Sequence, residues 1–196
     1  MHALWPIFIF SFSMGLTPGP NNLLLMSSGL NFGAMQTIRH YFGVALGFPM
    51  MMLIIAIGFG SLFTELPWLR TGLKIVGSGY MLYLAWRMLQ SSEVKTKPNH
   101  FKPWGFWQAA AFQWINPKAW LIGIGIISIF KLHDNPYLNA LAISSVTLFV
   151  SLITGATWVW LGAWLQRVLK TAQHRRWFNG IMAAGLFISV ILIYFD

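Results

Sequence analysis

Two short segments carry the residues that could do chemistry in an otherwise apolar chain: Thr17-Pro18-Gly19-Pro20-Asn21-Asn22 and Asn116-Pro117-Lys118. Each sets a capping-type residue directly before a proline, inside a hydrophobic stretch. Proline removes a backbone donor and clashes with the preceding turn, but at the first position of a helix the missing donor costs nothing. Each segment therefore reads as a helix start within a broken span, with Thr17 and Asn116 as N-caps. The half-helices would run from Pro18 to Leu30 and from Pro117 to Phe130, each about 20 Å long, which puts their N-termini near the middle of a bilayer. A helix N-terminus offers unpaired N–H groups and about half a positive charge, a natural seat for a carboxylate. Asn21 and Asn22, one turn further in, can donate or accept, and Lys118 adds a cation. Such a set suits a ligand bearing both carboxylate and ammonium. The plainer alternative is packing, with prolines that only kink helices and asparagines that bond across them.

Lys118 is the basic residue placed deepest in a span, where a charge costs about 2.5 to 3.5 kcal/mol on insertion scales. Either it lines an aqueous cavity, attracts a substrate carboxylate and releases its proton during a transport cycle, or it snorkels to the headgroups. No acidic residue falls inside a span: Glu65 and Asp134 sit at loop edges and Asp196 ends the chain. A second positive charge on a substrate would thus go uncompensated, which favours neutral ligands. His40, beside Arg39 at the start of the second span, is the other candidate proton carrier, since histidine titrates near neutral pH; its plain role is a headgroup contact.

The elements that must position these groups follow from composition. The 196 residues are 57% hydrophobic and 9% charged, with mean hydropathy +0.62, against about 25% charged in a soluble domain. This is an all-α integral membrane protein. The net charge of +9 does not indicate nucleic acid, because the basic residues sit in short connections and not along one face. With no cysteine, disulfides, thiolate metal sites and thiol nucleophiles are excluded; no cofactor or metal is called for. Spans of about 20 apolar residues fall near 4–29, 41–64, 68–89, 106–130, 138–163 and 178–195. Arg39, Arg87, Lys95, Lys97, Lys102, Arg167, Lys170, Arg175 and Arg176 follow spans one, three and five, whereas only Arg70, Lys74 and Lys131 follow spans two and four. The positive-inside bias puts the first set in the cytoplasm and both termini in the periplasm. Met1-His2-Ala3 lacks the basic start of a cleaved signal peptide, so the first span is expected to stay.

A polar linker, 91–105, divides the chain into half one, 1–90, and half two, 106–196, within a single transporter domain. Three spans per half make the halves inverted repeats, six transmembrane helices in all, with helices 1 and 4 broken near midplane; matched breaks of this kind mark a substrate site. Glycines at Gly29, Gly33, Gly43, Gly47, Gly72, Gly77, Gly79, Gly155, Gly162, Gly180 and Gly185 are read as close-packing positions. Trp5, Trp68, Trp104, Trp107, Trp164 and Trp177 form an aromatic belt; Trp114 and Trp120 flank the second break, as packing or as cavity wall. Met50-Met51-Met52 is lipid-facing or core filler.

The first motif, with Gly43, Gly47 and Asn116-Pro117-Lys118, resembles the lysine exporter/homoserine-threonine exporter superfamily of bacterial amino-acid efflux proteins, over the whole chain. The double asparagine followed by Met26-Ser27-Ser28-Gly29 looks closest to members exporting cysteine and O-acetylserine, or threonine and homoserine. The resemblance implies a secondary transporter of the bacterial inner membrane that exports small neutral amino acids or their derivatives, driven by protons, by alternating access around Thr17, Pro18, Gly19, Pro20, Asn21, Asn22, Asn116, Pro117 and Lys118. Its partners would be the amino acid, protons and membrane lipids, with a homodimer admissible. A basic amino-acid exporter of the same superfamily is one alternative. A membrane enzyme or scaffold is another, though no zinc-binding His-Glu pair, acid dyad or Ser/His arrangement supports an enzyme, and an ion channel would want rings of carbonyls or charges around a pore.

Overall fold

The computed structural model describes residues 4–58, 67–90 and 102–195. Within them all regular structure is helical: α1 (Leu4–Leu16), α2 (Pro20–Phe32), α3 (Ala34–Ala56), α4 (Pro67–Gln90), α5 (Phe106–Ile115), α6 (Pro117–Ile129), α7 (Pro136–Val168) and α8 (Ala172–Phe195). Pro20, Pro117 and Pro136 each occupy the first turn of their helix, where a proline forfeits no hydrogen bond. Both expected breaks are present, between α1 and α2 and between α5 and α6. The first half-helix starts at Pro20 and not Pro18, because Gly19, with extended backbone, is the N-cap. Thr17 is not a cap; its N–H and hydroxyl both turn back onto the Ser13 carbonyl.

Several boundaries differ from the sequence reading. The second span begins at Ala34 and ends at Ala56, and Pro49 is accommodated inside it. The fifth runs 33 residues, about 50 Å, and the sixth is a full 24 residues. The helices extend past the apolar windows because polar ends keep hydrogen bonding after hydropathy has fallen. Among the described residues, α3 and α7 are the helices long and apolar enough to cross a bilayer by length and composition, while α1 and α6 are apolar but 13 residues each. Glu65, Glu93, Lys95, Lys97, Asp196, the Arg70 side chain and most of the 91–105 linker lie outside the described residues.

Helix α7 is the spine. It packs against α1, α2 and α3; α3 in turn holds α5, and α4 pairs with α8. Phe8 meets Phe149 and Gly15 meets Thr154, so α1 and α7 run the same way. Gly43 meets Phe106 and Gly47 meets Ala110, so α3 and α5 also run the same way. Lys74 near the start of α4 lies 4.7 Å over the Tyr194 ring near the end of α8, an antiparallel pair. Small residues make these approaches: Gly29 abuts the Val159 carbonyl and Gly162 the Met26 carbonyl, so α2 and α7 interlock at backbone contact. Gly33 differs from that expectation; its φ of 81° makes the turn from α2 to α3, a conformation that favours glycine. Gly72, Gly79 and Gly180 face open space and pack nothing.

The core gathers Leu23, Leu24, Met81, Met88, Phe112 and Leu186 from four helices, while Trp5, Trp68, Trp107, Trp164 and Trp177 are exposed together with many Ile, Leu and Phe. An outside this apolar belongs in lipid. Trp104 is the exception to the expected belt, turning inward onto His40, Tyr80 and Phe112. Of the methionine run, Met50 is exposed and Met51 and Met52 are fully buried.

Candidate functional site

A helix broken inside a bilayer must satisfy its freed backbone from within the protein. At the end of α1 that task falls to three side chains. The Gly15 carbonyl accepts from Asn22 Nδ2 at 2.8 Å and from Trp158 Nε1 at 3.1 Å. The Thr17 carbonyl accepts from Asn22 Nδ2 at 2.8 Å and from Lys118 Nζ at 2.6 Å, and the Pro18 carbonyl from Lys118 Nζ at 3.3 Å. The Lys118 ammonium therefore bridges the two breaks, from the first turn of α6 to the last carbonyls of α1. It stands at the unfavourable, positive end of its own helix and offsets this at the negative end of α1. The headgroup reading of Lys118 does not hold: its partners are backbone carbonyls, which need no acidic residue.

The two N-termini at the breaks differ. At α6, Asn116 Oδ1 accepts from the Lys118 N–H at 3.2 Å, and the Asn116 carbonyl accepts from Ala119 and Trp120, so Asn116 caps as expected through its Oδ1. At α2, Gly19 has no side chain to cap with and Pro20 no N–H to offer. The first donors of α2, on Asn21 and Asn22, are thus the uncapped pair. Asn21 faces α5: its Nδ2 donates to Gln113 Oε1 at 2.7 Å and its Oδ1 accepts from Gln113 Nε2 at 3.2 Å. Gln113 is fully buried and also donates to the Ala109 carbonyl.

These groups converge on a cavity of about 70 Å³ bounded by α1, α2, α3, α6 and α7. That is well below the roughly 300–1,000 Å³ of drug-sized pockets. Gly19, Asn21, Asn22, Asn116 and Lys118 line it, as do Ser11 and Gly15 of α1 and Thr147, Ser151 and Thr154 of α7. Thr147 Oγ1 donates to the Ser144 carbonyl and Thr154 Oγ1 to the Val150 carbonyl. With their hydrogens committed, both threonines turn only lone pairs to the cavity. The site is thus polarised: donors and positive charge at the α2 N-terminus and Lys118, acceptors along α7 and at Asn22 Oδ1. Leu25, Val44, Phe48 and Ile122 supply apolar wall.

Of the residues singled out in the sequence, Gly19, Asn21, Asn22, Asn116 and Lys118 share the cavity; Thr17 and Pro18 contribute carbonyls, and Pro20 and Pro117 start the half-helices. His40 does not join them. It is 2% exposed, with both ring nitrogens unpartnered and its ring 5.2 Å from Trp104, so it is a buried group and no headgroup contact. Trp114 and Trp120 pack on each other, with Trp120 Nε1 donating to the Trp114 carbonyl, and neither lines the cavity. Gln113 and the α7 hydroxyls were not anticipated. Two signals point to them: an amide three residues before Asn116 in an apolar span, and the i, i+4, i+7 spacing of Thr147, Ser151 and Thr154 on one helix face.

Asn21→Ala is expected to leave the buried Gln113 amide without its partner, at about 1–3 kcal/mol of stability. The melting temperature in detergent should fall, and Gln113→Ala in the same background should cost less than it does alone. Additive losses would mean that the two amides do not act as a pair.

A family model described as LysE type translocator matches residues 12–194. The chain belongs to that family. Among proteins similar to this translocator, the cysteine/O-acetylserine efflux protein of Salmonella typhi is 32% identical over 198 residues, covering 100% of this chain and 97% of that protein. The protein of the same description from Escherichia coli (strain K12) is 29% identical over 196 residues, with the same coverage. No solved structure matches the chain. The translocator is a membrane transporter, as its breaks and apolar exterior suggest.

Proposed function

We propose that this translocator exports small neutral amino acids or their derivatives, of the cysteine and O-acetylserine kind, from the cytoplasm across the inner membrane, with the cavity as its substrate site. One observation carries the reading: an uncapped helix N-terminus and an ammonium face the same small cavity whose opposite wall is rich in acceptors. The carboxylate sits between the Asn21 and Asn22 N–H groups and the third N–H of Lys118; the substrate ammonium donates to Thr154 Oγ1 and Asn22 Oδ1. Among the described residues no carboxylate lines the cavity, which disfavours lysine and arginine. Thr17 and Pro18 are exposed, and irregular backbone at membrane depth needs protein or water beside it, so this edge of the site opens to water.

The same reading includes six spans in two inverted repeats, both termini periplasmic and alternating access driven by protons. Its support is the packing: α1 and α2 lie on α7 as α5 lies on α3, each pair running in parallel, and α4 pairs with α8, the exchange of roles that an in-plane two-fold axis demands. Lys118 is the titratable side chain of the cavity and the candidate proton carrier; His40 stands apart from it.

Purified protein in proteoliposomes tests the reading. Radiolabelled L-cysteine or O-acetylserine flux should saturate and depend on an imposed pH gradient, with lysine neither transported nor competing. Non-saturating flux, or preference for lysine, would overturn it.

A further inference from the structure

One group in the cavity has no task in this account. Ser11 on α1 is 5% exposed, lines the cavity, and its Oγ has no hydrogen-bond partner. Thr154, Thr157, Ser145 and Ser189 fold back onto their own helix carbonyls, and the other buried serines whose Oγ is without a partner among the described residues, Ser78 and Ser144, do not line the cavity. A buried polar group left open needs an explanation, and here the explanation is a ligand. Across the cavity stands Ser151 of α7: the parallel register that joins Phe8 to Phe149 and Gly15 to Thr154 brings Ser11 and Ser151 to the same level.

We propose that Ser11, with Ser151 opposite, is the side-chain subsite of the transporter and selects amino acids whose side chain ends in a small hydrogen-bonding group, a hydroxyl, thiol or ester. The proposal rests on the reading of the cavity as the amino-acid site. Its geometry is one of reach. Ser11 lies one turn, about 6 Å, along α1 from Gly15, whose neighbours Asn22 and Thr154 hold the ammonium. A hydrogen bond takes about 2.8 Å of that span, leaving room for a side chain whose polar atom is the second or third from Cα. Ser11 Oγ keeps both its donor and its lone pairs, so it serves a donor such as a thiol and an acceptor such as the bridging oxygen of an ester alike, while the acceptor-only threonines cannot. A side chain of equal size without a polar atom would leave Ser11 buried and unpaired, and is discriminated against on that ground.

Calorimetry on the purified protein, with L-cysteine under reducing conditions and L-2-aminobutyrate, its methyl isostere, tests the idea. Wild type should bind cysteine about tenfold more tightly, the size of one neutral hydrogen bond. Ser11→Ala should bring that ratio close to one, by weakening cysteine and relieving the penalty on 2-aminobutyrate, and the ligand-free variant should melt no lower than wild type, since no existing bond is lost. Ser151→Ala should reduce the ratio in the same direction. A wild-type ratio near one, or a Ser11→Ala loss shared equally by both ligands, would overturn the subsite while leaving the cavity as the amino-acid site. Failure of wild type to bind either ligand would instead overturn both the cavity reading and the subsite that rests on it.

Discussion

Lys118→Gln is expected to weaken L-cysteine binding roughly ten- to a hundred-fold, the size of one charge-assisted hydrogen bond at about 1.5–3 kcal/mol. The loss should fall on affinity more than on folding. Thr17's carbonyl, the closest partner of the ammonium at 2.6 Å, keeps its second donor from Asn22 Nδ2 at 2.8 Å when the lysine is replaced. What disappears is the third N–H and the positive charge facing the uncapped start of α2. Lys118→Arg should rescue only in part, because a planar fork cannot occupy the place of a compact ammonium threaded past Gly19. Calorimetry and thermal melts on the purified variants read the two effects separately. Near-equal affinities for Lys, Gln and Arg at this position would remove the ammonium from the substrate site and leave the α2 N-terminus and Asn22 to hold the carboxylate.

The two breaks are legible in the sequence because a proline directly after a cap residue starts a helix at no hydrogen-bond cost, as Pro20 and Pro117 do, whereas Pro49, preceded by Phe48, is carried inside α3. Asn116 as a cap follows from the same local rule. The first cap does not, since Thr17 and Gly19 both precede a proline and the choice between them depends on Lys118, a hundred residues away, whose stem fills the space over Gly19. Long-range partners are likewise invisible to spacing. Asn21 pairs with Gln113, and Trp158 reaches the Gly15 carbonyl, through contacts that only the crossing of α2 with α5 and of α1 with α7 creates. The partners of Lys118 are equally hidden, because charge compensation in a sequence can be sought only among acidic side chains. The carbonyls of a helix C-terminus carry the same sign and are written nowhere in the sequence. His40 illustrates the reverse error. Its neighbour Arg39 suggests an interface, yet α3 begins at Ala34 and turns the imidazole inward against Trp104.

The break also explains why one side chain can serve both fold and transport. Asn22 and Lys118 close the end of α1 by meeting at the Thr17 carbonyl, and both line the cavity, so the groups that satisfy the break are the ones a ligand in that cavity would meet. In the proposed site, a carboxylate at the start of α2 meets two positive groups side by side, the helix dipole and the Lys118 ammonium that lies over Gly19. A bound carboxylate would add to the compensation that the Thr17 and Pro18 carbonyls already give the ammonium, a gain that a ligand without one lacks.

Gly19→Ala tests whether the position of the ammonium, and not merely its presence, makes the site. Gly19 has φ −172° and ψ 174°, extended backbone that alanine adopts freely, so no conformational strain attends the change. The added methyl would instead lie 2.6 Å from Lys118 Cδ and 3.0 Å from Nζ, far inside van der Waals contact. The lysine stem is flexible and yields before the backbone does, so the protein should fold and insert while the ammonium is displaced from the Thr17 and Pro18 carbonyls. Substrate affinity should then drop by at least tenfold, matching the lower range for Lys118→Gln. Because both substitutions act on the same contact, the double variant Gly19→Ala/Lys118→Gln should bind no more weakly than Lys118→Gln alone, a coupling energy of about 1.4 kcal/mol or more in a double-mutant cycle. Additive losses would separate Gly19 from Lys118 and assign the glycine a role of its own in the approach of the substrate to the α2 N-terminus; an unchanged affinity in Gly19→Ala would mean that the ammonium works equally well without its carbonyl anchors.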